Sequence, residues 1–420
     1  MVNLRIGAVS LQAPVPEGAE ARRKASSHDS GRGDRCRAFG RGLCFLGSKQ
    51  GGLSQSRAVR LCLGSNRVMF CAMSCPRSVS CGGELPLCQV FWATLIPPYQ
   101  AIHLIEGLTV SELRLAIVGF GKIAHDQHVP AIAATDGVRL VAVADPNPVA
   151  ADVPHFRSLE ALLGDGPEID AVALATPPQI RRAQASIALA ARKHVFLEKP
   201  PARAVSEIAP LLAAAREVQR TLFQSWHARY SPAVEPARRL LAERRIASVV
   251  INWREDVRVW HPGQDWIFEP GGFGVFDPGI NALSILTRIL PQPLFATAAS
   301  LEIPANRAGP IAAELELSDN AGLSIHATFD FRETRNHAWE IRFETDHGPV
   351  VLSGGGSRLV AGDEVLVDEK KQSYPLLYRR FVELVRNGEN DVDLSPLQLV
   401  ADAFMLGRRR EVEAFAWNAS

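Results

Sequence analysis

The chain predicts an α/β fold: a Rossmann-type, doubly wound parallel sheet followed by an α+β domain with a largely antiparallel open sheet. Three observations carry this expectation. Apolar runs of strand length alternate with helical patterns over residues 113–226. A Gly-x-Gly-x-x-Ala turn, Gly119 to Ala124, joins the first of these strands to the first helix. From Ala247 onward, strand-like runs follow one another with few helices between them. Strands separated by helices pair in parallel with helices on both faces, whereas strands in direct succession pair antiparallel.

In chain order, Leu113–Val118 reads as the first strand and residues 123–134 as the first helix. The glycine turn between them lets the backbone approach a pyrophosphate, whose charge then rests on the helix N-terminus. Gly119, Gly121, Lys122, Ile123 and Ala124 are therefore assigned to a dinucleotide. The next strand, Val138–Ala144, runs into Asp145, 24 residues after Gly121. A carboxylate at about this distance accepts hydrogen bonds from the adenosine ribose. The alternative is a tight βα turn without a ligand, and the strand–turn–helix–strand–Asp context favours the ligand. Residues 158–163 follow as a short helix, 169–175 as a buried strand ending at Thr176-Pro177-Pro178, and 179–191 as a helix. Then come a strand at His194–Leu197, an amphipathic helix at 205–219 and a last strand at 222–226. Ligands of such sheets bind beyond the carboxyl ends of the strands. Thr176, Pro177, Glu198 and Lys199 thereby join the cofactor set. The cofactor expected is NAD, with NADP as the alternative. A carboxylate pairs with the ribose 2′- and 3′-hydroxyls and repels a 2′-phosphate, and residues 146–152 offer no Arg or Lys to offset it.

Beyond residue 247 the strands read 249–256, 296–303, 312–317, 322–332, 339–345 and 350–352, with closing helices at 376–385 and 397–414. The expected partition is an extension over 1–110, a dinucleotide-binding domain over 111–228 and an α+β domain for substrate and self-association over 229–420.

Composition bounds the rest. At 420 residues, 47% hydrophobic and 22% charged, the chain has room for two domains with proper cores. No apolar run approaches the ~18 residues a membrane span needs, so no membrane partner is expected. The net charge of +1 hides an asymmetry: residues 1–110 hold 13 Lys+Arg against 6 Asp+Glu, the remainder 33 against 39. All seven cysteines also lie in the first 110 residues. That stretch lacks a secretory or transit pattern, its cysteine spacings do not repeat as a zinc module requires, and its charge is too diluted for a nucleic-acid arm. The reading favoured is an upstream misread, with the working start near Val110 or Ser111. The cysteine-free remainder fits the cytoplasm.

Two further constellations carry chemistry. Glu198-Lys199-Pro200 directly follows a parallel strand, where a lysine can stabilise an alkoxide or exchange protons; a solvated strand-end lysine is the plain alternative. Downstream, Gly271, Gly272 and Gly274 lead into Asp277, expected as the N-cap of a helix running to about Leu290 with Pro278 at its first position. Asn281 lies four residues on, on the same helical face. Capping alone could explain Asp277, but a cap needs neither the glycine-rich approach nor a facing Asn.

These motifs together resemble the glucose–fructose oxidoreductase / inositol dehydrogenase family, over most of residues 113–417. The segments around Trp253 to Arg258, Trp260 to Gln264 and Phe276 to Ile285 look most like its aldose 1-dehydrogenases acting on D-galactose and L-arabinose. The resemblance implies that Lys199 and Asp277 lie beside the reacting carbon; Asp277 is expected as proton acceptor with Lys199 steadying the developing alkoxide and Asn281 holding the hydroxyl, and Lys199 as the acceptor stands as the alternative. Many members carry His where this chain has Asn281, so a histidine-based proton relay is not expected. The resemblance further implies an aldose as substrate, contacted by His227, Glu255, Trp260, Asn281 and Trp339, and a homo-oligomer formed through the second sheet. Each sugar-site candidate also has a plain reading: a strand-end His, core tryptophans, a surface ion pair. No His/Cys/Asp cluster has metal-ligand spacing, so no metal is expected. Inositol or imine redox chemistry and a non-catalytic cofactor-binding protein stand as the competing readings.

Overall fold

The computed structural model describes residues 112–418, together with the backbone of three short antiparallel strands, Cys44–Phe45, Arg57–Gly64 and Arg67–Ser74. The chain divides into Met1–Val110 and Ser111–Ser420, and both larger sheets belong to the second unit. Apart from these strands, the stretch 1–110, expected as a low-order, misread extension, falls outside the described residues.

The first sheet holds β1 (Leu113–Val118), β2 (Val138–Ala144), β3 (His155–Phe156), β4 (Ala171–Leu174), β5 (His194–Leu197) and β6 (Leu222–Gln224). All are parallel, in the order β3-β2-β1-β4-β5-β6. The order reverses at β1, which opens a crevice beyond the carboxyl ends of β1 and β4. Ala171–Leu174 is buried throughout, as a strand with helices on both faces must be. Those helices are α1 (Val129–Ala133), α2 (Leu159–Asp165), α3 (Pro178–Ala190) and α4 (Ile208–Glu217). The Ser158 hydroxyl accepts the Ala161 N–H and caps α2. The helix expected over 123–134 is divided: a π-helical turn, Ala124–His128, precedes α1. Pro130 lacks the N–H that would continue the ladder there.

The second sheet is built from β7 (Ile246–Arg254), β8 (Phe295–Pro304), β9 (Ala312–Ser318), β10 (Ser324–Asp330), β11 (Ala338–Thr345), β12 (Gly348–Ser353), β13 (Arg358–Ala361), β14 (Glu364–Asp368) and β15 (Arg408–Val412). Its order is β14-β13-β12-β11-β7-β10-β9-β8-β15. Only β7/β10 and β8/β15 pair in parallel. One face packs against α5 (Val234–Ala242) and α7 (Phe276–Ile289), with α9 (Ser395–Leu406) against β8. Two short segments, α6 (Val257–Trp260) and a 3₁₀ turn at Asp265–Phe268, follow β7. The closing helix expected over 397–414 ends at Leu406. A Cβ on Gly407 would sit 2.5 Å from the Ala403 carbonyl oxygen, and the charged run Arg408-Arg-Arg-Glu becomes an exposed edge strand instead.

Chain order and packing order differ in one respect that matters for the site. Helix α8 (Ser373–Asn387) follows the second sheet yet buries Tyr374, Leu377, Tyr378 and Phe381 in the core of the first. The Phe196 ring centroid lies 5.1 Å from that of Tyr378 and 5.2 Å from that of Phe223. Each such fully buried ring contributes about 1.5–3 kcal/mol. The aromatic cluster therefore anchors α8 directly beneath the loop that carries Lys199.

The first sheet also sets a pH response. The Thr221 N–H donates to His194 Nδ1 over 3.0 Å, which requires the neutral ring, and burial lowers the His194 pKa to about 4. Between that value and ~6.5, its ordinary pKa, the unfolded chain binds a proton the folded one does not. Stability therefore rises with pH across this window and is lost on acidification. Urea unfolding midpoints should fall from pH 7 to pH 5, and His194→Gln should flatten the dependence.

Candidate active site

The glycine turn behaves as its sequence requires. Gly119 has φ +85°, and a Cβ there would lie 2.7 Å from Thr176 Cγ2 and 2.8 Å from its backbone nitrogen. Only glycine lets the β1 and β4 loops approach so closely. A Cβ on Gly121, in contrast, would meet nothing within 4 Å, so the backbone there is open to a phosphate. Asp145 Oδ2 accepts the Phe120 N–H at 2.8 Å and Oδ1 the Asn147 N–H at 2.9 Å. Each oxygen keeps a free lone pair for a ribose hydroxyl. Lys122 is exposed and pairs with Asp126 one turn on. Ile123 is partly exposed over the turn while Ala124 packs inside. Thr176 is buried, its hydroxyl donating to Gln184 Oε1, and Pro177 stands just before α3. These residues fit a dinucleotide.

Across the crevice the structure brings Lys199 and Asp277 together. Lys199 Nζ lies 3.1 Å from Asp277 Oδ2 and 3.1 Å from the Asp277 carbonyl oxygen, and the pair is nearly closed to solvent. Asp277 is not the N-cap expected. Helix α7 begins at Phe276 with Val275 in the capping position, so Asp277 lies within the first turn and its carboxylate turns to the lysine. The glycines explain this start: Gly274 has φ +53°, and a Cβ there would clash at 2.3 Å with the Pro310 carbonyl oxygen. Asp277 Oδ1 is buried without a hydrogen-bond partner, an acceptor left over for a ligand. Asn281 follows one turn along the same helix, partly exposed.

Glu198 supports the lysine from behind. Its Oε2 accepts the Lys199 N–H at 2.6 Å; its Oε1 accepts the Tyr374 hydroxyl at 2.8 Å and lies 3.3 Å from His128 Nε2. Burial works to raise its pKa, but the His128 hydrogen bond and the neighbouring positive charges prevail and hold it at about 2. His227 stacks on Tyr374, centroids 5.5 Å apart. Burial lowers its pKa to about 4, so its ring is neutral.

The remaining candidates form a second wall. Trp339 Nε1 donates to Glu255 Oε2 at 2.7 Å, and Trp260 meets Trp339 edge-on with centroids 4.9 Å apart. Trp260 is 43% exposed, so the pair combines apolar faces with an open side, as a sugar surface requires. Between this wall and Asp277 stands His261. Its Nε2 lies 3.2 Å from Glu255 Oε1 and its Nδ1 3.8 Å from Asp277 Oδ2. Where the sequence reading expects no histidine beside Asp277, the structure sets His261 next to it. Asn281 removes one from α7, but α6 delivers another from 16 residues upstream of Asp277. Sequence reasoning passed over His261 although it adjoins Trp260. It also missed Tyr374, His128 and Arg181; the last had a signal, since Arg181 occupies the buried stripe of α3 with Ala185, Ala188 and Leu189.

Among the described residues, no group of three His, Cys, Asp or Glu could hold a metal ion, and no helix is long and apolar enough to cross a membrane.

Comparison with known proteins matches this architecture. Residues 113–225 match the model of an oxidoreductase family with an NAD-binding Rossmann fold (Gfo/Idh/MocA). The chain is 47% identical to galactose 1-dehydrogenase of Pseudomonas fluorescens over 304 residues, 72% of this chain and 98% of that one. It superimposes on the crystal structure of D-galactose-1-dehydrogenase from Rhizobium etli with a TM-score of 0.70 and 53% identity, covering 73% of this chain and 98% of that one. A 3-ketoreductase from Actinomadura kijaniata, solved with NADP, shares the fold at TM-score 0.63 and 20% identity, over 72% and 100% of the two chains. Together with the glycine turn and the crevice it opens onto, these matches show that the chain belongs to the Gfo/Idh/MocA family of NAD(P)-dependent oxidoreductases.

Proposed function

We propose that this chain is an NAD-dependent aldose 1-dehydrogenase that oxidises the anomeric carbon of D-galactose, and of L-arabinose, to the aldonolactone. The observation that carries the reading is the Lys199–Asp277 pair with its unpartnered buried oxygen Oδ1 at the crevice. The similarity to galactose 1-dehydrogenases points to the sugar.

The nicotinamide, when bound, accepts hydride from C1. The residues manage the proton. As hydride leaves, the C1 hydroxyl becomes strongly acidic, so a carboxylate suffices as base, and Asp277 Oδ1 takes the proton. Lys199 donates to Oδ2 and to the developing oxyanion. His261, with Nε2 3.2 Å from Glu255 Oε1 and Nδ1 3.8 Å from Asp277 Oδ2, passes the proton outward from Asp277. Asn281 and His227 hold hydroxyls, while Trp260 and Trp339 cover the C–H face of the ring. Asp145, with no basic residue in the stretch after it, supports NAD over NADP. The cysteine-free body supports a cytoplasmic setting, and the second sheet's free face a homo-oligomer.

A steady-state survey of aldoses with both cofactors tests the reading. Galactose and arabinose share configuration from C2 to C4, so both should turn over, with a lower KM for NAD than for NADP. No NADH formation with either sugar overturns the assignment, and a KM ratio favouring NADP overturns the cofactor preference.

A further inference from the structure

Arg181 is a charged side chain in an unusual place. It is 3% exposed, on the inner face of α3, and no described carboxylate forms an ion pair with it. Its Nη1 donates to the Glu198 carbonyl oxygen at 2.6 Å and to the Pro200 carbonyl oxygen; its Nη2 donates to the Thr176 carbonyl oxygen. Its Nε is buried without a partner. A guanidinium held only by neutral carbonyls has left water at considerable cost, and neutral donors could bridge the same loops. The charge itself therefore calls for an explanation.

The explanation lies in what those carbonyls flank. The peptide plane between Glu198 and Lys199 is held at both ends: its C=O by Arg181, its N–H by Glu198 Oε2. The Pro200 carbonyl fixes the far side of the lysine. Thr176, the third acceptor, carries the β4 loop that packs against Gly119. Arg181 thus ties the cofactor turn to the lysine loop. Its nearest counter-charges are Glu198 and Asp277, whose attraction works against the effect of burial, and its pKa remains at about 10; it is charged at neutral pH.

We propose that Arg181 is a positioning residue for the reaction. Its guanidinium sets the backbone of Lys199 so that the ammonium reaches Asp277. This inference rests on the aldose dehydrogenase reading for its kinetic test.

The test compares Arg181→Met and Arg181→Lys in the full chain. Arg181→Met should lower kcat with galactose about 10²-fold, the scale of a misplaced catalytic group, with KM and NADH binding largely unchanged. Arg181→Lys keeps the charge but cannot span the three carbonyls, so kcat should fall there too. Wild-type kcat in a folded Arg181→Met protein overturns the proposal. Should that variant fail to fold, wild-type kcat in Arg181→Lys overturns it equally. A loss of thermal stability with kcat intact would leave Arg181 a mere clamp and also refute it. Hydrogen exchange at the Lys199 amide, which needs no sugar, should accelerate in both variants. If the wild type oxidises no aldose, the functional reading fails while this exchange still judges the tie between Arg181 and Lys199.

Discussion

Replacing Asp277 with Asn should lower kcat for galactose by about 10²–10⁴-fold, the range a positioned base contributes, while NADH binding stays intact. The substitution is nearly isosteric, and the amide oxygen can still accept from Lys199, so the helix start and the lysine rotamer need not change. What disappears is the ability of Oδ1 to take a proton. Because Asp277 does not cap α7, little stability should be lost with it, and the melting temperature separates this account from a structural one. Stopped-flow hydride transfer with C1-deuterated galactose makes the test stricter. If proton removal and hydride departure are concerted, the isotope effect should appear in full on the slowed step. Near-normal turnover in Asp277→Asn would remove the carboxylate from the chemistry.

The second large effect belongs to Lys199. Lys199→Met should reduce kcat about 10²–10³-fold, as does the loss of one preorganised donor to a developing oxyanion. The double substitution is more informative. Lys199 and Asp277 are hydrogen-bonded at 3.1 Å, so their effects should not add. Lys199→Met/Asp277→Asn should be scarcely slower than the worse single variant. Multiplicative losses would mean that the two groups act independently, and the shared-proton account would fail.

The sequence was a good guide wherever information is local. Strand and helix periods in residues 113–226 exposed the parallel sheet, because a buried parallel strand is apolar on both faces and a covering helix on one. The glycine turn and Asp145 were legible because their geometry is decided within a few residues. Elements without such a pattern escaped. Arg358–Ala361, Glu364–Asp368 and Arg408–Val412 lie at or near the sheet's edges, where charged, half-exposed strands lose their alternation. Helix 276–289 was foreseen, yet its first residue was misjudged: a close contact between Gly274 and Pro310 decides where it starts.

Within the site the division is sharper. Residue types and motif resemblance were enough to nominate Lys199, Asp277 and the two tryptophans. Their convergence, across 78 residues of chain in the case of the lysine and aspartate, came only with the packed fold. His261 carries no local signature of function, being a loop-end histidine, and Arg181 carries only that of a charge on an apolar stripe. Each becomes functional through neighbours brought from distant segments, since desolvation and Coulomb interaction depend on distance in space and not on separation along the chain.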